Sequence, residues 1–152
     1  MTEDELFLAI ADSGARALLI GRRAMVALGF PVLTADYDFW VHVDDIEAFN
    51  GALGRLEMVP SHAPAAARGR GRYVIENGEH IDVLVARSVT TVDDEVVAFD
   101  EVWNGRVELQ IGDVVGYLPC LADLIRTKRF SARDKDVADL RMLLSWKEHD
   151  VD

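Results

Sequence analysis

The chain has a single cysteine, Cys120, among 152 residues. A lone thiol excludes an internal disulfide, and no Cys/His spacing around it resembles a zinc site, so a small buried or half-buried side chain is expected there. Long apolar runs are also missing: none approaches the roughly 18 residues of a membrane span. The opening Met1-Thr2-Glu3-Asp4-Glu5 is acidic where a secretory signal is basic, so no membrane partner and a cytoplasmic location are expected. Positive charge is scarce as well. Sixteen Lys and Arg face 27 Asp and Glu, a formal net charge of -11, which argues against broad attraction to nucleic acid, a binding mode that depends on neutralising phosphates. The few basic residues do cluster, in Arg68-Gly69-Arg70-Gly71-Arg72 and in Arg126-Thr127-Lys128-Arg129 with Arg133 and Lys135. The first cluster reads as a mobile loop because glycine alternates through it. Trp40, Trp103 and Trp146 are widely separated, as core or interface anchors are, and form no base-stacking platform.

What is present is the balance of a folded domain: 50% hydrophobic and 28% charged residues, on a chain long enough to bury a core. One domain over 1–152 is expected, with a core through 118 and C-terminal helices over 119–150. Residues 3–13 carry apolar positions at helical spacing behind an acidic first turn. Ala17-Leu18-Leu19-Ile20 reads as a buried strand turning at Gly21 into a helix over 22–28, closed by Gly29 with Pro31 beyond. A second strand is expected over 37–43, then a helix starting at Asp44-Asp45. The Pro-, Ala-, Gly- and Arg-rich stretch 60–72 reads as a loop. Strands around Tyr73-Val74-Ile75 and Ile81–Val85 are joined by Asn77-Gly78, a strong hairpin signal. Val107–Ile111 alternates as another strand, and after Pro119 two helices follow. The pattern predicts an α+β fold, a mixed sheet flanked by helices with a helical C-terminal end.

Within this frame Asp36 and Asp38 stand out. Many acid-x-acid pairs occur, including Glu148/Asp150 and Asp150/Asp152, but those lie in polar surroundings where a solvated carboxylate costs little. Asp38 instead precedes Phe39-Trp40-Val41. On a strand, residues i and i+2 share a face, so both carboxylates would project together while Tyr37 and Phe39 pack on the other side. Carboxylates bordering apolar surface must be paired, hydrogen-bonded or metal-bound. Hard oxygen ligands so placed suit Mg²⁺, one ion or two, shared with substrate phosphates. Asp82 sits among Ile81, Val83, Leu84 and Val85, an unusual place for an acid. If its strand lies beside the Asp38 strand, the three acids gather and need a cation between them. A helix opening at Gly21 would aim free backbone N–H groups at a phosphate. Phosphates and Mg²⁺ together point to nucleotidyl or phosphoryl transfer. The alternatives are a structural acid pair at a strand edge, and an Asp82 neutralised by Arg22 or Arg23. Of the histidines His42, His62, His80 and His149, only His80 shares a face with Asp82.

Leu19-Ile20-Gly21-Arg22-Arg23-Ala24, Thr34-Ala35-Asp36-Tyr37-Asp38 and His80-Ile81-Asp82-Val83, taken in order, resemble the DNA polymerase β-like nucleotidyltransferase superfamily. Within it the chain is similar to small bacterial nucleotidyltransferase-like proteins, including the AbiEii type of toxin–antitoxin systems. The C-terminal Leu118-Pro119, Asp123-Leu124-Ile125, Lys128, Arg133-Asp134-Lys135-Asp136 and Asp139-Leu140 extend the resemblance over nearly the whole chain. It implies that Asp36 and Asp38 bind the catalytic metals and that Asp82 is a third ligand helping to activate an acceptor hydroxyl. It also implies that Gly21, Lys128, Arg133 and Lys135 meet the phosphates of an NTP. The acceptor would be an RNA, a protein or a small molecule. The chain departs from the family at Arg22, where a second glycine or a serine is usual; Arg22 either pairs with a phosphate or fills the cradle. Loss of turnover would leave a module that binds a partner protein. The small size predicts a partner subunit or a homodimer.

Overall fold

The computed structural model describes the backbone of residues 1–150 and the side chains of residues 1–147; His149 and the acid pairs Glu148/Asp150 and Asp150/Asp152 lie outside the described side chains. The chain forms α1 (Glu3–Ser13), β1 (Ala17–Ile20), α2 (Gly21–Ala27), β2 (Tyr37–Val41) and, after a 3₁₀ turn at Val43–Asp45, α3 (Ile46–Gly54). Then come β3 (Val59–Pro60), α4 (Pro64–Arg70), β4 (Arg72–Asn77) and β5 (Glu79–Val85). Two small hairpins follow, β6 (Ser88–Thr90) with β7 (Val96–Ala98), and, after α5 (Phe99–Asn104), β8 (Val107–Ile111) with β9 (Val114–Leu118). The chain ends in α6 (Leu121–Thr127) and α7 (Asp134–Asp150). No described helix is long and apolar enough to cross a membrane.

The main sheet has the order β1-β2-β5-β4-β3. β2 and β5 run parallel and every other pairing in it is antiparallel. The mixed α+β architecture is the expected one. The β4–β5 hairpin turns at Gly78, whose φ of 74° is the left-handed conformation that an Asn-Gly turn uses. Alternation along the strands divides the apolar residues between two faces. Leu19, Phe39, Val41, Ile81 and Val83 pack with Leu6, Phe7 and Ile10 of α1 and with Ile46, Phe49 and Leu53 of α3. The same cluster takes in Leu124, Ile125 and Leu143 of the C-terminal helices. On the opposite face Leu18, Ile20, Trp40 and Leu84 meet Val97, Phe99 and Val102. Trp40 lies edge-on to Phe99 and Phe130, with ring centroids at 5.4 and 5.5 Å, and its indole N–H donates to the Ala86 carbonyl at 3.0 Å.

The stretch expected as a loop over 60–72 is instead mostly helix. Pro64 occupies the first turn, Ala65-Ala66-Ala67 are strong helix formers, and Gly71 caps the end at φ 80° with its N–H donating to the Ala67 carbonyl. The local preference for helix outweighs the alternating glycines. Strand β2 ends at Val41 rather than 43, because the 3₁₀ turn begins there, with the Asp44 N–H donating to the His42 ring. Elements β3, β6, β7, α5 and β9 lie in stretches where no strand or helix was expected; all are short, and the acids of 93–101 mask the pattern of β7 and the start of α5. Cys120 is half-buried. Truncating Trp40, fully buried, to alanine is expected to cost about 3–5 kcal/mol, the usual range for a buried tryptophan, read from denaturant unfolding at constant m.

Candidate active site

The parallel register of β2 and β5 sets Asp38 directly beside Asp82, on the sheet face that also carries Trp40 and Leu84. Tyr37 and Phe39 point to the other face, as alternation requires. Asp36 falls one residue short of β2 and is exposed; Thr34 Oγ1 accepts its N–H at 3.3 Å. Its carboxylate is near enough to add to the repulsion on Asp38 but stays at the rim. The structure thus pairs Asp38 with Asp82 and leaves Asp36 outside. Among the described residues no group of three or more His, Cys, Asp or Glu is placed to hold a metal ion.

Neither acid of the pair has an arginine partner. Burial chiefly, and next the charge of Asp82, push the Asp38 carboxyl above the ordinary aspartate value, while Lys135 and Lys128 partly offset this. Asp82 meets only His80, whose Nε2 lies 3.3 Å from Oδ2; His80 Nδ1 lies 3.4 Å from Glu76. Burial alone would lower the His80 pKa, but the carboxylates of Asp82 and Glu76 outweigh it and raise it. Arg23 lies over the Tyr37 ring at 4.2 Å, on the far face from the acids. Arg22 turns away too: Nε donates to Asp139 at 3.1 Å and a terminal nitrogen to the Leu33 carbonyl at 3.4 Å. The reading in which Arg22 or Arg23 neutralises Asp82 is therefore not what the fold builds. Two carboxylates side by side, without an arginine ion pair among the described residues, are a donor set that suits Mg²⁺, which commonly takes one or two protein carboxylates and completes its shell with phosphate and water.

Gly21 closes one side. Its φ is 69°, and a Cβ there would run into the Asp38 carboxylate, so the close approach of this turn to β2 requires glycine. Together with Asp38 it opens onto a cleft of about 70 Å³ whose other walls include Arg22, Arg72, Lys128, Arg133 and Lys135. The residues expected to meet phosphates thus converge on one place. Arg72 was not foreseen there: it belongs to the glycine-alternating stretch, and only strand pairing with β5 carries it to the acids.

Lys128 is buried, not on a solvated helix face. Its Nζ donates to Asp139 at 2.8 Å and lies 3.8 Å from Asp136, whose other oxygen accepts from Arg133 at 2.9 Å and from Ser131 at 2.5 Å. Burial would raise the Asp139 carboxyl, but hydrogen bonds from Arg22 and Lys128 outweigh it and hold it below the usual aspartate value. Burial likewise opposes, and Ser131 and Arg133 overcome, the shift at Asp136. Asp139 therefore joins α7 to the end of α6 and to α2, and fixes two cationic walls of the cleft.

The two acid environments predict opposite mutational effects. A raised native pKa means that ionised Asp38 opposes folding. That contribution favours the folded state below the unfolded value of about 3.9 and is lost as pH rises through the native value. Asp38→Asn is therefore expected to raise Tm at pH 7 by roughly 2–4 °C, what ~1 kcal/mol gives in a chain of this size, with the gain vanishing below about pH 4. Asp139, with its lowered pKa, stabilises above about pH 4, and that stability is lost as pH falls through its native value. Asp139→Asn, which strands buried Lys128, is expected to cost about 3–5 kcal/mol at pH 7. Thermal scans of both variants across pH 3–8 read the two signs.

No protein-family model matches the chain, and no curated protein sequence matches it. The solution structure of the antibiotic-resistance factor ANT(2'')-Ia is similar in fold, with a TM-score of 0.64 at 12% identity over 93% of this chain and 80% of that one. The mixed five-stranded sheet flanked by helices is a nucleotidyltransferase-like fold.

Proposed function

We propose that the chain is a Mg²⁺-dependent nucleotidyltransferase that moves a nucleoside monophosphate from an NTP to a hydroxyl of an RNA, a protein or a small molecule. The observation that carries this reading is the side-by-side Asp38–Asp82 pair, with Asp38 on a cleft walled by Lys128, Arg133, Lys135 and Arg72. Mg²⁺ held by the two carboxylates would supply charge stabilisation for the phosphates. Asp38, packed under Gly21, would act as the fixed ligand, and Asp82, more open to solvent, would also accept the proton of the attacking hydroxyl. Lys135 and Arg72, which make no ion pair among the described residues, are free to meet the triphosphate, whereas Lys128 and Arg22 are already bonded to Asp139 and act mainly by shaping the wall. Asp36, exposed at the rim, would be a further carboxylate for a bound cation. The AbiEii-type resemblance supports a place in a toxin–antitoxin pair.

A second reading has a specific observation behind it. The cleft of about 70 Å³ is well below the roughly 300–1,000 Å³ typical of small-molecule sites, and Arg22 occupies one wall. A nucleotide must lie across its open edge, or the fold holds a partner protein without turnover.

Thermal unfolding separates the two. Wild type is expected to gain stability with one NTP only when Mg²⁺ is present, by roughly 2.7 kcal/mol at a hundredfold excess over Kd, and the Asp38→Asn/Asp82→Asn variant to gain none. The absence of any NTP-dependent shift in wild type would overturn the enzyme reading in favour of the binding module.

A further inference from the structure

Asp38 and Asp82 open onto different spaces. Asp38 lines the cleft with Gly21 and the C-terminal cations, while Asp82 lines a second cleft of about 120 Å³ on the β4 side, with Ser61, His62, Arg70 and Arg72. Arg72 borders both. It pairs in register with Leu84, two residues beyond Asp82 on β5, so the guanidinium and the carboxylate stand diagonally on one sheet face. The floor is held by the backbone: the Ser61 N–H donates to the Val74 carbonyl at 2.7 Å, and Ser61 Oγ accepts from the Val74 N–H at 3.0 Å. Ser61 Oγ also hydrogen-bonds His62 Nδ1 at 2.8 Å, which fixes that ring at the rim.

The charges of this second cleft run against those of the molecule. In a chain with 27 acids, Arg16, Arg22, Arg68, Arg126 and Arg133 each take a carboxylate, and Arg23 and Arg106 lie over aromatic rings. Arg55, Arg70, Arg72 and Arg141 do neither among the described residues, and of these Arg70 and Arg72 share a cleft with a carboxylate. They flank the Gly71 turn between α4 and β4, and the only acid lining their cleft is Asp82. The alternating Arg-Gly stretch thus divides its labour: Arg68 ties α4 to Glu47 and to the Val43 carbonyl, and the next two arginines are left free beside a carboxylate.

We propose that this cleft is the acceptor subsite and that the acceptor carries a phosphate next to its attacking hydroxyl, held by Arg70, with Arg72 standing between it and the triphosphate. The inference rests on the nucleotidyltransferase reading and narrows its substrate class to phosphorylated hydroxyl compounds. Asp82, on the wall of this cleft and beside Asp38 in the sheet, takes the proton of the acceptor hydroxyl as its oxygen attacks the α-phosphorus of the NTP. The bond from that phosphorus to the oxygen bridging to the β-phosphate breaks, and pyrophosphate leaves with the electron pair. Guanidinium forks suit phosphate oxygens and repel a cationic acceptor. A phosphate of this kind is found both on the terminal nucleotides of RNA and on a free sugar phosphate.

The test measures binding of a short single-stranded RNA with a free 3′-hydroxyl, of ribose 5-phosphate and of ribose. The proteins are wild type, Arg70→Gln and, as a charge-matched control away from the cleft, Arg55→Gln. Wild type is expected to bind at least one of the two phosphorylated probes and to ignore ribose, and whichever binds more tightly identifies the source. Arg70→Gln is expected to weaken that binding about tenfold, the loss of one charge-assisted contact, while keeping the Mg²⁺-NTP thermal shift. Equal binding by wild type and Arg70→Gln, an equal loss in Arg55→Gln, or no binding of either phosphorylated probe would overturn the proposal. If wild type shows no NTP shift, the nucleotidyltransferase reading fails by itself, and the RNA and sugar-phosphate affinities still decide whether Arg70 marks a phosphate site.

Discussion

The parallel pairing of β2 with β5 is the constraint around which the molecule is arranged. β2 lies between β1 and β5 and is covered on both faces, by Phe7 and Phe49 below Phe39 and by Phe99 and Phe130 around Trp40. A strand so enclosed cannot slip, because a one-residue shift would exchange its two faces and bury Asp38 where Phe39 now sits. The register of these two strands therefore sets two carboxylates side by side with no freedom to separate. The apolar packing holds in place an arrangement that electrostatics opposes.

That opposition is confined to one spot and balanced close by. Among the described residues the acids of the site make no arginine ion pair, while the buried carboxylate of Asp139 takes both Arg22 and Lys128. Cations from the start of α2 and the end of α6 thus meet one residue of α7, and the walls of the cleft are as fixed as its floor. Residues strained by like charge at the centre, with well-satisfied ion pairs a few residues outside, are the usual distribution in a site that binds a charged ligand. The same distribution explains why Gly21 is confined to glycine: the turn lies against a carboxylate that cannot move away.

Much of this was legible in the chain, for physical reasons that differ by residue. Asp38 and Asp82 could be read because alternation fixes which face a strand residue occupies, and because an acid inside an apolar run has few structural explanations. Their adjacency was implied by the family resemblance alone, since strand order is a tertiary property that no local pattern encodes. The partner of Arg22 was out of reach for the same reason: Asp139 is 117 positions away. Asp36 was placed on the strand by its spacing, but the chain becomes extended only at Tyr37, and one residue decides whether two carboxylates share a face. The 60–72 stretch was misread because its glycines were weighed over its alanines and its helix-starting proline, which hid both α4 and the position of Arg70 and Arg72. Lys128 looks like any helix-surface lysine until the fold brings two aspartates of the next helix around it.

The two clefts gather arginine and lysine on a body of formal charge -11, and this bears on the rate of encounter as well as the strength of binding. At long range an approaching polyanion meets the field of the whole molecule, which repels it; only within about a Debye length, roughly 8 Å under physiological conditions, does the local field of the arginines and lysines take over. Association with a nucleotide or a phosphorylated acceptor then faces an outer barrier that added electrolyte lowers and an inner attraction that it weakens. A charge distribution of this kind would favour ligands small or flexible enough to bring a phosphate through the narrow approach over rigid, uniformly charged duplexes.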